Sequence, residues 1–304
     1  MTRVCAAVVL LAGLAPVAVA AEPEIVRERD VIYGRKFGVC LTMDVFTPKG
    51  KQNGAAVVVA VSGGWFSSHG SINPSTAAPF LKRGYTVFQV VHGSQPKFTI
   101  PEAIEDMQRS VRFIRTNAIR FGIDGDRIGV TGGSAGGHLS LMLGTLDSKG
   151  NPKANDAVEQ ASGKVQAVAC FFPPTDFHNY GETGKDAMEI LKTVKLTAPF
   201  DFRDFSGDER AFIPVTDGEK RREKMKQIAP INHVTPDDAP TLIVHGDADK
   251  LVPIQQAEIM IEKLKAAKVP AELIVKKGAA HGWAGMDKDL EKFADWFDKF
   301  LPAK

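Results

Sequence analysis

The pentapeptide Gly132-Gly133-Ser134-Ala135-Gly136 fits the pattern G-x-S-x-G, and its surroundings give the match chemical meaning. Arg127-Ile128-Gly129-Val130 before it reads as a strand, and His138-Leu139-Ser140-Leu141-Met142-Leu143 after it reads as a helix. In that context a serine sits at the tip of a tight turn in strained backbone geometry. Flanking glycines keep neighbouring Cβ atoms out of the way. Ser134 Oγ would then project at the positive end of a helix, where the Ala135 N–H can meet a developing oxyanion. The bland alternative is a glycine-rich turn carrying a structural serine.

A serine hydroxyl is too weak an acid to attack an ester unaided. A base has to accept its proton, and a third group has to hold that base in one tautomer. Thr241-Leu242-Ile243-Val244 reads as a buried strand that runs into His245-Gly246-Asp247-Ala248-Asp249. Gly278-Ala279-Ala280-His281-Gly282-Trp283 reads as a loop after the next strand. His281 is the candidate base because its glycine-flanked loop can reach Ser134, whereas His245 closes a buried strand. His138, His233 and His245 read as structural histidines. Asp247 and Asp249 both stand as candidates for the acid.

Taken together, the serine turn, the loop His245-Gly246-Asp247-Ala248-Asp249-Lys250-Leu251-Val252-Pro253 and the late His281-Gly282 resemble the α/β-hydrolase superfamily. The likeness covers nearly the whole chain after residue 21, and within the superfamily it is strongest to carboxylesterases of the feruloyl and acetyl-xylan esterase-like group. The resemblance implies a serine esterase that needs no cofactor and acts on a small or carbohydrate ester. It selects Asp249 as the triad acid, because the second acid of that loop serves in the family, and leaves Asp247 to brace the loop. It also implies that Gly64 and Trp65 add backbone donors to that of Ala135, since Val57-Val58-Val59-Ala60-Val61 leads into Ser62-Gly63-Gly64-Trp65. Similar esterases carry histidine where Ser62 stands. How this loop is braced is therefore open.

These groups need a frame. Residues 55–61, 85–91, 127–130, 165–172, 241–244 and 272–275 are short, nearly unbroken apolar runs, as strands buried on both faces of a parallel sheet require. Two earlier strands are predicted over 25–33 and 39–46. Segments 101–120, 254–268 and 288–300 have helical periodicity, with Pro101 at a permitted first-turn position. Phe293, Trp296, Phe297 and Phe300 in the last of these read as core contacts. Alternating strands and helices imply an α/β fold with a mostly parallel, doubly wound sheet and helices on both faces. The stretch from about 173 to 240 breaks the alternation and is too long for a connecting loop, so it reads as a cap or lid insertion. His92-Gly93-Ser94-Gln95-Pro96 follows a strand where a pocket would lie, and Asp106 reads as a brace.

Composition bounds the remainder. Of 304 residues 44% are hydrophobic and 24% charged, with a formal net charge of +2. That balance fits one catalytic domain over residues 22–304 and offers no basic stripe for a nucleic acid. The densest basic run, 220–226, is broken by Glu223 and Met225 and reads as a solvated helix face. Residues 1–21 combine an early Arg3, an apolar run and small residues near Ala20, as a cleaved export signal does. A secreted or periplasmic protein without stable membrane insertion is expected. Cys5 would leave with the signal, and Cys40 and Cys170 read as buried, unpaired thiols. The rival readings are a prolyl-oligopeptidase-like peptidase, although the large N-terminal propeller is missing, and a catalytically silent binding protein. Oligomeric state is not legible.

Overall fold

The computed structural model describes residues 25–303, so the expected export signal and Cys5 lie outside the described residues. Strands β1 (Ile25–Lys36) and β2 (Val39–Pro48) form an antiparallel hairpin. The alternation then runs β3 (Ala56–Ala60), α1 (Ala78–Lys82), β4 (Thr86–Val91), α2 (Ile100–Thr116), α3 (Ala118–Phe121), β5 (Ile128–Gly133), α4 (Ala135–Thr145), α5 (Ala157–Gln160) and β6 (Ala167–Phe171). An excursion follows, carrying α6 (Met188–Thr193), the hairpin β7 (Arg203–Ser206) and β8 (Ala211–Pro214), and α7 (Gly218–Gln227). The chain returns to the sheet with β9 (Thr241–Gly246), α8 (Gln255–Ala266), β10 (Ala271–Lys276) and α9 (Met286–Phe300).

Eight strands form one sheet in the order β1-β2-β4-β3-β5-β6-β9-β10. The two at the β1 end pair antiparallel and the others parallel. The doubly wound α/β architecture expected from the apolar runs is what the chain adopts. The strand order reverses between β3 and β5: the chain moves from β3 outward to β4, then crosses back to β5. Crevices outside the carboxyl ends of strands at such a reversal are where open α/β sheets bind ligands.

Both sheet faces are covered, which explains the unbroken apolar runs. Along β3, Ala56, Val58 and Ala60 join the core beneath α2, α4 and α8, while Val57 joins the core beneath α1 and α9. Helix α2 starts where Thr99 and Glu102 close a reciprocal capping box, with Glu102 Oε2 accepting the Thr99 N–H at 2.7 Å. In α9, Phe293, Trp296 and Phe297 are buried core residues, and each fully buried ring contributes about 1.5–3 kcal/mol. The basic run in α7 is largely solvated, with Met225 as its inward anchor.

One expectation fails. Cys170 is buried in β6 as anticipated, but Cys40 is an exposed free thiol. It sits at the start of β2 on a two-stranded edge hairpin, opposite Arg35, where one face meets solvent. The apolar neighbours that suggested burial belong to the alternate face. Among the described residues no helix is long and apolar enough to cross a membrane.

Candidate active site

Ser134 lies between β5 and α4 with φ 55° and ψ −119°, a conformation that a non-glycine residue holds only under constraint. The constraint is visible on both sides of it. A Cβ on Gly132 would lie 2.5 Å from the Gly136 carbonyl carbon, and one on Gly136 would lie 2.6 Å from the Ala60 carbonyl oxygen. The turn is therefore pressed against β3 as well as closed on itself. Ser134 N–H donates to Phe171 O at 3.0 Å and Ser134 O accepts from His138 N–H at 2.9 Å, tying the serine to β6 and to the first turn of α4. Ala135, at the first helical position, has no carbonyl behind it in the helix to accept its N–H.

The structure brings the three sequence-selected side chains into one line. Ser134 Oγ is 2.9 Å from His281 Nε2, and His281 Nδ1 is 2.7 Å from Asp249 Oδ2. With Nδ1–H donating to the carboxylate, Nε2 is left as the acceptor that faces the serine hydroxyl. Asp249 Oδ1 accepts the N–H groups of Leu251 and Val252, each at 2.9 Å. Burial alone would raise this carboxyl, but hydrogen bonds from His245, His281 and the Val252 N–H outweigh it and hold the group well below the usual carboxylate range. Asp247 takes the bracing role: its Oδ1 accepts the Gly278 N–H at 2.6 Å, at the root of the His281 loop. At the other end of that loop Trp283 Nε1 donates to Asp289 Oδ2 at 2.8 Å. Asp289 also holds Lys276 and Lys292.

His138, His233 and His245, read from sequence as structural, each bond a backbone carbonyl. His245 is buried with Nε2 2.8 Å from Val252 O, and its Nδ1 has no partner among the described residues. His233 differs from a core histidine in being partly exposed, and it bonds Gln227 O at 2.7 Å.

After β3, Gly63 and Phe66 exchange hydrogen bonds of 3.0 and 2.9 Å around Gly64 and Trp65, whose φ values are 56° and 57°. Two consecutive left-handed residues between an exchanging pair match a type I′ hairpin turn. Among the described residues neither tip amide, Gly64 or Trp65, donates a hydrogen bond. Glycine suits such a position, whereas tryptophan has to be held there. Its ring is buried against His138, Phe177 and Phe200, with centroid separations of 5.4, 6.1 and 5.4 Å. Trp65 Nε1–H donates to His138 Nδ1 at 3.2 Å, and His138 Nε2–H donates to Ile228 O at 2.7 Å. Phe177, Phe200 and Ile228 belong to the excursion after β6, so that segment packs directly on the turn. Burial pushes the His138 pKa down to about 4, which keeps it the neutral link this chain requires.

The question left by Ser62 has a structural answer. Its Oγ lies 2.8 Å from Nε2 of His92, the residue that follows β4, and His92 Nδ1 lies 2.8 Å from Gly93 O. Nδ1–H thus donates to the carbonyl, and Nε2 accepts the Ser62 hydroxyl. Burial lowers the His92 pKa to about 4, so the acceptor persists at neutral pH. An imidazole braces the loop after all, from the neighbouring strand. Asp106 supports the same corner by accepting the Gly93 N–H at 2.8 Å and Lys36 Nζ at 2.6 Å. Sequence reading placed His92 beside the pocket without a role. Its one available signal was a polar residue just after a nearly unbroken apolar run, next to the loop of Ser62. Phe172 was also missed: at φ 34° it sets its ring 4.4 Å from that of His281.

Comparison with known proteins identifies the family. The family model described as BD-FAE matches residues 43–264. The probable carboxylic ester hydrolase LipM of Mycobacterium tuberculosis is 26% identical over 78% of this chain and 51% of its own length. The esterase LipC of the same organism is 27% identical over 86% and 61%. The chain thus spans about half to three fifths of the length of these curated relatives. Among solved structures, a truncated carbohydrate esterase from gut microbiota superposes with a TM-score of 0.71 at 25% identity, covering 92% of this chain and 97% of the other. An acetyl ester-xyloside bifunctional hydrolase from Caldicellulosiruptor lactoaceticus gives 0.71 at 19% identity over 93% and 98%, a likeness of fold. With the family model spanning β2 to α8, the chain belongs to the BD-FAE family of α/β-hydrolase-fold proteins.

Proposed function

We propose that the protein is an exported serine hydrolase of carboxylic esters, acting on acyl groups carried by carbohydrate. The observation that carries the reading is the unbroken line Ser134 Oγ, His281 Nε2 at 2.9 Å, His281 Nδ1, Asp249 Oδ2 at 2.7 Å. Ser134 attacks the ester carbonyl while His281 takes its proton, and Asp249 holds the imidazole in the tautomer that leaves Nε2 free. The N–H groups of Ala135, Gly64 and Trp65 receive the negative charge that forms on the carbonyl oxygen. His281 passes the proton to the departing alkoxide. Water, activated by the same imidazole, then releases the acid from the acyl-enzyme.

The carbohydrate part of the reading draws on the solved neighbour named a carbohydrate esterase, and the exported part on the character of residues 1–21. A fluorophosphonate probe tests the nucleophile: the wild-type protein is expected to label and Ser134→Ala to remain unlabelled. Acetylated and aryl-acylated oligosaccharides, simple aryl esters and short peptides then separate the activities. Peptide turnover without ester turnover would replace this proposal with a peptidase. Absence of both labelling and turnover would leave a binding protein.

A further inference from the structure

The two sides of the reacting centre are packed unequally. On one side the excursion closes down: the Leu196 side chain stands where a Cβ on Gly64 would be, at 2.9 Å, and Phe177 and Phe200 hold Trp65. On the α1 and α9 side a cavity of about 500 Å³ remains. Its lining includes Val59 from β3, Gly133 from β5, Phe171 from β6, Met286 and Leu290 from α9, and Gly63 of the oxyanion turn. Gly133 directly precedes Ser134 and Gly63 directly precedes Gly64, so the space comes within one residue of both the nucleophile and the oxyanion donors. Its far wall is fixed. Gln89 Nε2 donates to Asn73 O at 2.7 Å and Thr76 Oγ1 at 3.1 Å, while its Oε1 accepts the Asn73 N–H at 2.9 Å. That amide is spent on clipping the loop to the sheet and asks nothing of a ligand.

The tetrahedral intermediate decides which half of an ester can use this space. Of the four groups on its central carbon, one is Ser134 Oγ and one is the oxyanion. The departing oxygen has to lie against His281 Nε2, and when it belongs to a polymer it has to stay in the open cleft. Only the acyl chain is free to be buried. An acetyl group would leave apolar walls without partners, whereas a longer chain would fill them. A volume of about 500 Å³ lies in the range of sites for whole small molecules.

We propose that this cavity is the acyl site and selects extended apolar acyl groups over acetyl. The proposal rests on the serine esterase reading above. The test is a series of p-nitrophenyl esters from acetate to dodecanoate, with active sites counted by fluorophosphonate titration so that rates refer to folded, competent enzyme. kcat/KM is expected to rise up to about fourfold per methylene as the chain is lengthened from acetate, until it fills the cavity. Two fillers from opposite walls, Leu290→Trp and Val59→Phe, should each cut the octanoate-to-acetate ratio at least about tenfold. Acetate as the best substrate, or a ratio that survives both fillers, would overturn the acyl site while leaving the esterase reading intact. No turnover of any ester together with no labelling would overturn both.

Discussion

The end of β9 and the loop after β10 each present a histidine to the Asp249 carboxylate, and they put it to opposite uses. His245 Nε2 is 3.5 Å from Asp249 Oδ2, with no side-chain exposure. His281 Nδ1 is 2.7 Å from the same oxygen, with 22% of its side chain exposed. The first is locked onto a backbone carbonyl in the core, the second keeps a ring nitrogen facing Ser134. His92 and His138 repeat the buried pattern, each bridging a carbonyl to another side chain. Residue type is the same in all four cases. Exposure and the second partner allocate the role: a base needs one nitrogen oriented and the other facing a hydroxyl that a substrate can reach, which burial denies to His92, His138 and His245.

Substitutions can break or sharpen that contrast. The largest effect is expected at the exposed end of the line: Ser134→Ala and His281→Ala should each lower kcat by about 10⁵–10⁶, with KM little changed, in a p-nitrophenyl ester assay. Asp249→Asn should cost about 10³–10⁴ in kcat, because an amide lets the imidazole adopt the unproductive tautomer. His92→Leu, which removes the acceptor for Ser62, should cost about 10- to 100-fold, less than deleting an oxyanion donor outright. The loss should fall on kcat rather than KM, since it slackens a group used in the transition state.

A pH experiment comes next in size. His92 and His138 have folded-state pKa values lowered from 6.5 to about 4, so between those limits the unfolded chain binds protons that the native chain refuses. The contribution of these two histidines to stability is therefore complete above about pH 6.5 and declines as pH falls toward 4. Each histidine adds up to about 1.4 kcal/mol per pH unit to the slope, a tenfold change in the folding equilibrium. Urea unfolding at pH 7, 6 and 5 would read it, and His138→Gln should flatten it. The smallest effect on rate is expected from His245→Gln, less than about tenfold in kcat. A loss there equal to that of His281→Ala would abolish the distinction drawn between the two histidines.

What the sequence made legible follows from how local each feature is. The elbow around Ser134 and the loops of Asp249 and His281 are each encoded within a dozen residues, with glycines marking the turns. The buried strands announce themselves because both faces are covered, so no polar alternation interrupts them. Trp65, His138 and Ile228 form one bonded chain from three distant segments, and nothing in their separate contexts predicts it. The pairing of Ser62 with His92 needs the adjacency of β3 and β4, and Cys40 needs the edge position of the β1–β2 hairpin. The cavity was the least legible feature, because it is defined by where α9 and residues 71–76 stop rather than by any motif.

Trp65 sits in a left-handed tip position that its own backbone disfavours, and the aromatic residues that restrain it come from the excursion between β6 and β9. That segment and the turn are consequently not separable modules. Trimming it, or swapping it for the shorter or longer counterpart of another protein of this fold, would free the tryptophan to relax and carry the amides of Gly64 and Trp65 with it. Side chains of α9, by contrast, can be exchanged without touching the contacts that keep that tip in place.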